Sequence, residues 1–571
     1  MRSLKISILS LAVALSLSVL ASAQASAVLP QNHVSASPTS APAPAGSFDQ
    51  VVDRIVEQER AFTSQMRHLH PLAETYIQNM RPDRELGAVP ASDQYFLGRL
   101  DLSNGIDDRS FMGVPGFGHR ILGSLTSLYE MRFLPLGFAQ MVILDDDFQK
   151  QSYDFTFVRR EFLGEVRCLV IDVQPRKRSG DGRFIGRIWV DDQDYNIVRF
   201  NGTYLHPPRN AYYLHFDSWR LNLRPGQWLP AYVYSEESDP QYKRTQTLRF
   251  KAQTRFWGYD LAHLGRTEEF TQILVDAPQG VRDQSQSGQD ASPVESERIW
   301  ERQAEDNALE RLLKIGLLAP EGEVDGVLQT VVNNLMVTNN IEIQPEVRCR
   351  VLLTSPLESF TIGHTIVISR GLLDVLPDEA SLATVLAHEL SHIALGHRLD
   401  TKLAFNDRFF FADEKTFQRL DFTRNPEDEE AADKKAMELL ANSPYKDKLG
   451  NAGLFLQALQ ARAPELKNLI RPHLGNSLAS GQSLRMPALL ESSPKLEVRQ
   501  PNQIAALPLG GRIKLDPWSN KVELQKTKPV ALNSPREKMP FEVTPFFPYL
   551  SRLSSAPDKV ALTTPAQAGD R

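Results

Sequence analysis

The segment TVLAHELSHIALGH, Thr384 to His397, constrains this chain more than any other stretch. Its other residues are mostly Val, Leu, Ile and Ala, which predicts a buried helix. Buried imidazoles and carboxylates are costly unless a partner compensates them. Residues four apart share a helix face, so His388 and His392 can direct two ring nitrogens at one ion, with Glu389 one step round that face. The spacing favours a metal site, and the alternative is a hydrogen-bonded buried His–Glu network.

A catalytic zinc usually has three protein ligands and one open position, so a third ligand is needed. His397 lies nearby, but it follows His388 by nine residues. At about 100° per residue, it falls on the opposite side of a continuous helix, so we expect a helix-end residue there. The better candidates lie in NPEDEEAADKKAMELL, Asn425 to Leu440. Glu429 and Asp433 share one face, where one carboxylate can bind a metal and the other can orient a ligand histidine.

The pair of motifs HELSH and EEAAD, Glu429 to Asp433, resembles zinc metallopeptidases of family 48, the group of HtpX-like and CAAX-prenyl-endopeptidase-like enzymes. The resemblance covers about Arg298 to Ala461 and includes the block SFTIGHTIVISRGLLDVL. It implies hydrolysis of peptide bonds with one Zn²⁺ per chain. The implied roles are His388, His392 and Glu429 as zinc ligands, Glu389 as general base and Asp433 as the partner of a ligand histidine.

Two features depart from that family. Its members are often embedded in membranes, whereas we find no spanning segment after the N-terminal apolar run. A family HP motif has only a loose counterpart in RPH, Arg471 to His473. This counterpart suggests His473 as a transition-state stabiliser, and an ordinary surface or core histidine is the alternative. A protein or peptide substrate can add as an extended strand to the edge formed by Ser359 to Ser369.

The N-terminus has the pattern of a secretory signal peptide. MRSLK is followed by an apolar run from Ile6 to Leu20 and by two ASA sequences within residues 21–27. The run is shorter than the roughly 20 residues that span a bilayer, although an uncleaved anchor is the alternative. We therefore expect an exported protein, periplasmic or extracellular. Cys168 and Cys349 are expected to be buried free thiols rather than one bridge.

Hydrophobic periodicity predicts an α+β protein. Two hairpin patterns, RFIGRIWV–DDQD–YNIVRF and LNLRPGQWLPAYVY, indicate an antiparallel β domain that resembles the half-barrel of periplasmic lipoprotein-sorting and sigma-factor-regulator proteins. A mainly helical, zincin-type metallopeptidase domain with a small edge sheet follows. The predicted order is signal peptide (1–27), Pro/Ala/Ser linker (28–47), helical lead-in (48–94), β domain (95–275), connector (276–296), metallopeptidase domain (297–474) and Pro-rich irregular tail (475–571).

Composition excludes little beyond two classes of partner. A formal net charge of −6 over 571 residues gives no reason to expect a nucleic acid or an anionic membrane surface. The predicted function is exported zinc-dependent endopeptidase activity, for example in envelope protein quality control. The alternative is an exported chaperone-like or lipid-binding protein whose zinc site is structural or vestigial. A third possibility is that the β domain or the tail covers the active-site cleft and restricts access to it.

Overall fold

A computed structural model describes the following parts of the chain: residues 47–101, 107–110, 141–144, 147–177, 183–204, 214–237, 250–259, 305–397, 415, 417–471, 473–480, 483–516, 519–525 and 532–553. The predicted signal peptide, the linker up to residue 46 and the connector (276–296) lie outside these ranges. None of the helices in the described ranges is long and apolar enough to cross a membrane.

Helix α1 (Phe48–Met66) opens the described chain. Ser47 caps it, since its hydroxyl accepts from Gln50 N–H while the Gln50 side chain accepts from Ser47 N–H. The predicted helical lead-in to residue 94 is wrong beyond Met66, because Leu72–Asp83 is a strand. Both faces of that strand are buried, so its apolar residues do not alternate with polar ones and their spacing imitates a helix.

One antiparallel sheet of ten strands follows in the described ranges, which confirms the predicted N-terminal antiparallel β domain. Its strands are β1 (Leu72–Asp83), β2 (Gly87–Asp101), β3 (Asp107–Ser110), β4 (Tyr153–Leu163), β5 (Val166–Pro175), β6 (Phe184–Asp191), β7 (Ile197–Tyr204), β8 (Leu214–Arg224), β9 (Gln227–Glu237) and β10 (Phe250–Trp257). The order across the sheet is β3-β2-β1-β10-β9-β8-β7-β6-β5-β4. Both predicted hairpins are present, as β6–β7 and as β8–β9 with Pro225-Gly226 at its turn.

The two faces of the sheet pack against different parts of the chain. Successive residues of a strand point to opposite faces, and along β5 Val170 and Ile171 accordingly join different hydrophobic clusters. The Ile171 face packs against α1, and the Val170 face packs against the region after residue 305. On the α1 face, Arg220 donates to both carboxylate oxygens of Glu59 at 2.7 and 2.8 Å, and both side chains are almost fully buried.

The region after residue 305 is mainly helical. It contains a helix over residues 305–315, then α2 (Glu323–Thr338), β11 (Arg348–Leu352), β12 (Ser359–Ile362), β13 (Thr365–Ser369), α3 (Arg370–Val375), α4 (Glu379–Ala394), α5 (Pro426–Ala441), α6 (Leu449–Arg462) and α7 (Lys467–Ile470). A short 3₁₀ helix, Lys446–Lys448, precedes α6. Strands β11, β13 and β12 form a small sheet in that order, so β12 is one of its two edge strands. This arrangement confirms the predicted α+β class.

The segment after Gly475 has little regular structure but belongs to the core. It contains β14 (Ala479–Ser480), β15 (Ser483–Leu484), α8 (Pro487–Ser492), β16 (Ile513–Leu515), β17 (Val522–Leu524) and a 3₁₀ turn, Pro535–Glu537. Phe541 and Val543 are fully buried, and the Gln78 side chain of β1 bonds the backbone of both. Removing the chain from Gly475 onward would expose this core, so we expect such a truncation to unfold the protein rather than activate it.

Polar groups buried between the sheet and the helical region join the two. Arg370 at the start of α3 is fully buried and donates to Glu74 of β1 at 2.7 Å. Glu74 also accepts from the Ser355 hydroxyl at 2.8 Å and from the Tyr95 hydroxyl at 2.9 Å. Burying these charges requires such partners, so the sheet and the helical region depend on each other. Cys168 and Cys349 are both buried free thiols, as predicted.

The buried Arg220–Glu59 pair yields a stability prediction. Arg220→Met leaves Glu59 buried without its partner, and we expect the free energy of unfolding in urea to fall by about 3–5 kcal/mol. The matched control is Arg176→Met, which breaks the solvent-exposed pair of Arg176 and Asp154 and should cost less than about 1 kcal/mol. Equal losses for both variants would show that burial of the pair is not what matters.

Candidate metal centre

Helix α4 carries the HELSH residues through the core of the helical region. Asp378 caps its N-terminus by accepting from Ser381 N–H at 2.9 Å. His388, Glu389 and His392 expose only 1%, 2% and 1% of their surfaces. Three ionisable groups therefore lie almost fully out of water on one helix, and each needs a compensating partner.

Helix α5 packs against α4 and supplies two carboxylates. Its N-cap is Asn425, whose side chain accepts from Asp428 N–H, and Pro426 occupies its first turn. The buried Ala432 and Ala436 have small side chains that allow α4 to approach closely. Glu429 and Asp433, one turn apart on α5, consequently meet the imidazoles of α4.

Three donor atoms of this group converge on one point. Nε2 of His388 and Nε2 of His392 are 3.1 Å apart, and the Glu429 carboxylate oxygens lie 3.4 and 3.3 Å from them. A tetrahedral zinc with ligand bonds of about 2.0–2.1 Å needs ligand atoms about 3.3–3.4 Å apart. Within the described ranges this is the one cluster found that could hold a metal ion. Two imidazoles and a carboxylate are the donors of many catalytic zinc sites, so the residues fit zinc.

The other ring nitrogens are held by partners that leave both Nε2 atoms facing the centre. Nδ1 of His388 is 2.8 Å from the Asp433 carboxylate, and Nδ1 of His392 is 2.9 Å from Nδ1 of His397. Such contacts fix the ring orientation of a ligand histidine. Asp433 therefore contacts His388, and its role as the partner of a ligand histidine stays a prediction. Burial and Arg485 oppose protonation, but the hydrogen bonds that the ring donates to Asp433 and Glu429 raise the pKa of His388 overall.

His397 belongs to the site in a way that the sequence analysis missed. Helix α4 ends at Ala394, and Gly396 then adopts a left-handed conformation with φ of +68°. The chain therefore turns back, and the assumption of a continuous helix to His397 fails. His397 contacts His392 rather than joining the three converging donors. The glycine at 396 was the signal for this turn.

Glu389 is held by two hydroxyl groups of β12. Ser359 Oγ donates to one carboxylate oxygen at 2.7 Å, and Thr361 Oγ1 donates to the other at 2.8 Å. Burial alone would raise the pKa of Glu389, but the charges of His388, Arg485 and His392 and the Ser359 hydrogen bond lower it. The net shift of the Glu389 pKa is downward, which favours the charged carboxylate beside the three converging donors.

Arg485 is a further charged group that the sequence analysis did not single out. Its guanidinium lies 3.0 Å from Glu429 and 3.5 Å from Glu389. The following residue, Met486, donates its N–H to Asp433 at 2.8 Å from a left-handed conformation with φ of 54°. The segment after Gly475 therefore supplies a positive charge and a backbone donor to the centre. No local motif marks Arg485, since only the folded chain brings it to α4 and α5.

His473 lies away from these groups. Its ring is 6.2 Å from the ring of Tyr95 and 6.4 Å from that of Phe417. Among the contacts of the described residues, none joins its side chain to the metal ligands or to Glu389. A role as a transition-state stabiliser stays a prediction.

Comparisons with known proteins were made for the whole chain. A family model described as "Peptidase family M48" matches residues 323–412, which include α4 but neither Glu429 nor Asp433. No curated protein matches the chain. Similar solved structures include a LolA superfamily protein from Nitrosomonas europaea (11% identity, 36% of this chain and 92% of that chain, TM-score 0.20), a DUF1329 family protein from Desulfovibrio piger (11%, 39% and 97%, TM-score 0.21), and a putative outer membrane lipoprotein-sorting protein domain from Vibrio parahaemolyticus (9%, 37% and 93%, TM-score 0.19).

The contact between Asp433 and His388 leads to a prediction about how a substitution at Asp433 changes zinc affinity. Asp433→Asn removes the carboxylate charge that orients His388, so we expect zinc affinity to fall by about 10- to 100-fold in a chelator competition titration. The control is Glu427→Gln, an exposed residue in the first turn of the same helix, which should bind zinc like the wild type. Wild-type zinc affinity in Asp433→Asn would contradict this role.

Proposed function

We propose that this protein is an exported zinc-dependent endopeptidase, since residues 323–412 match the family model described as "Peptidase family M48". The spacing of three donor atoms carries the proposal. The donor atoms of His388, His392 and Glu429 lie about as far from one another as the ligands of a single zinc ion, and the Glu389 carboxylate lies beside them. A structural zinc site needs four protein ligands and no base. Three ligands and a neighbouring carboxylate are what hydrolysis requires.

The proposed chemistry divides between the metal and the chain. Zinc bound by His388, His392 and Glu429 would supply a Lewis acid that activates water and polarises the scissile carbonyl. Glu389 accepts the proton of the attacking water and later passes it to the leaving amine. Arg485 offsets the repulsion between the two neighbouring carboxylates, Glu389 and Glu429, so that both stay ionised at short range.

An extended peptide is the substrate form that the fold favours. Among the described strands, β12 pairs only with β13, so its other edge is where a peptide strand can add. The side chains of Ser359 and Thr361 on this strand reach Glu389, which brings a peptide paired there close to the base. Backbone pairing gives affinity with little dependence on sequence, which suits a protease acting on varied protein chains.

In this structure the protein's own residues cover that edge. Arg424 donates from its guanidinium to the carbonyl oxygen of Thr361 at 3.2 Å, and Phe422 stacks on Phe360 with ring centroids 4.9 Å apart. Gly475 packs closely on Ser359, since a Cβ atom added to Gly475 would lie 2.8 Å from the carbonyl oxygen of Ser359. We refer to residues 422–424 and 474–476 together as the cap.

The two segments of the cap hold each other as well as β12. Phe422 N–H donates to the Leu474 carbonyl at 2.7 Å. The Asn476 side chain accepts from Arg424 N–H at 2.9 Å and donates to the Arg424 carbonyl at 3.2 Å. A peptide can pair with β12 only after the cap moves away. The cap therefore keeps proteolysis low until a substrate or another signal displaces it.

The chaperone-like or lipid-binding alternative lacks an observation of its own. In the described ranges, one face of the sheet packs against α1 and the other against the helical region. The buried pair of Arg220 and Glu59 occupies the α1 face. Export rests on the signal-peptide pattern of the first 27 residues.

The Glu389→Gln variant tests the mechanism. The amide keeps the size of the side chain but cannot accept a proton, so we expect zinc content to be retained and casein cleavage to fall by more than about 1,000-fold. The measurement uses purified mature protein, with metal analysis beside the protease assay. A chelator should abolish wild-type cleavage, and added zinc should restore it.

The results separate the candidate functions. Cleavage by Glu389→Gln, with contaminating proteases excluded, would reject Glu389 as the base. Zinc bound by the wild type without cleavage of casein or of short unfolded peptides would favour the structural-zinc alternative.

The cap predicts a variant with increased activity. Arg424→Ala removes the hydrogen bond to the Thr361 carbonyl, which contributes about 0.5–1.5 kcal/mol. We therefore expect kcat/KM for an unfolded peptide to rise by about 2- to 10-fold. The control is Arg176→Ala in the β domain, which should leave kcat/KM unchanged. An unchanged or lower kcat/KM in Arg424→Ala, with wild-type zinc content, would reject the cap as a barrier.

A further inference from the structure

We propose that Ser359 and Thr361 are positioning residues that hold the carboxylate of Glu389 in its working orientation through their hydroxyl groups. The inference rests on the proposed peptidase function. It adds that the strand expected to bind the substrate also aligns the base that acts on it.

The geometry of β12 makes both contacts at once. Ser359 and Thr361 are two residues apart, so their side chains point to the same face of the strand. That face meets α4, where Ser359 reaches Oε1 of Glu389 at 2.7 Å and Thr361 reaches Oε2 at 2.8 Å. In both contacts the hydroxyl group donates and the carboxylate oxygen accepts. The two oxygens of Glu389 are therefore each fixed by a separate donor.

Other charged groups nearby do not replace these donors. Arg485 approaches Glu389 only to 3.5 Å and makes no hydrogen bond to it. Ser359 and Thr361 each expose about 1% of their surface, so water does not compete for their hydroxyls. Within the described ranges, the hydrogen bonds to the Glu389 carboxylate come from these two side chains. Without them, the carboxylate is free to rotate about its side-chain torsions or turn toward Arg485.

This arrangement predicts a particular kinetic signature. A peptide strand would pair with the backbone of β12, which the hydroxyl groups do not provide. Removing a hydroxyl should therefore leave KM unchanged. It should lower kcat, because an incorrectly oriented base transfers the proton less often in the transition state.

The kinetic test uses the full mature chain with an unfolded peptide substrate. Thr361→Val keeps the size of the side chain but loses the hydroxyl, and Ser359→Ala does the same for the other donor. We expect kcat to fall about 10-fold in each single variant and about 100-fold in the double variant, with KM within about twofold of wild type. Thr361→Ser and Ser359→Thr restore a hydroxyl and should keep kcat within about threefold. The matched control is Thr365→Val on β13, which should behave as wild type.

A second measurement needs neither zinc nor activity. In the metal-free protein, Thr361→Val leaves the buried Glu389 carboxylate short of one donor, so Tm should fall by about 1–3 °C. In a Glu389→Ala background the same substitution should lower Tm by half as much or less, because the carboxylate acceptor is gone and only the longer contact of Thr361 Oγ1 with the backbone oxygen of residue 389, at 3.3 Å, remains. This double-mutant cycle measures the contact itself.

Each outcome decides one of the claims. If zinc-loaded wild type shows no cleavage, the peptidase function and the positioning role both fail. If the wild type cleaves but the double variant keeps its kcat, only the positioning role fails. A rise in KM without loss of kcat, or additive effects on Tm in the cycle, also overturns the positioning role and leaves the peptidase function standing.

Discussion

Helix α4 places His388, Glu389 and His392 almost entirely out of water, and the rest of the site compensates the cost of that burial. Charged groups in such a position must have partners at hydrogen-bond distance or the fold is penalised by several kcal/mol. Helix α5 supplies two carboxylates, strand β12 supplies two hydroxyls, and the segment after Gly475 supplies a guanidinium and a backbone N–H. These neighbouring elements therefore provide the hydrogen-bond and ion-pair partners that the buried side chains of α4 require.

The residues of the centre differ in how far the sequence could reveal them. The i, i+4 spacing of His388 and His392 is local, so the sequence alone predicts a metal site there. Glu429 follows on a separate helix, and only its resemblance to a known motif connected it with α4. The contact of His397 depends on where α4 stops, which a single left-handed glycine decides. Arg485 has no local signature, because a contact across nearly a hundred residues arises only from tertiary packing.

The burial of polar side chains also explains why the sequence predicted a helix where strand β1 lies. Strand β1 carries Glu74 and Gln78 in its interior, and both are buried because they bond groups in the helical region and in the segment after Gly475. Their presence removed the alternation that identifies strands, so the periodicity favoured a helix. Glu74 also holds Ser355, four residues before β12 begins. The ten-stranded sheet therefore supports the segment that leads into β12 rather than forming a separate module.

The hydrogen bond from Met486 N–H to Asp433 has a consequence for when the centre can be completed. The orienting partner of His388 is fixed by a residue that is made almost a hundred positions later, and the guanidinium beside Glu389 comes from the same late segment. A chain that lacks this late segment therefore carries the HELSH motif but not a complete centre. If the protein is the peptidase proposed above, its centre is complete only when the segment after Gly475 has folded onto α4 and α5.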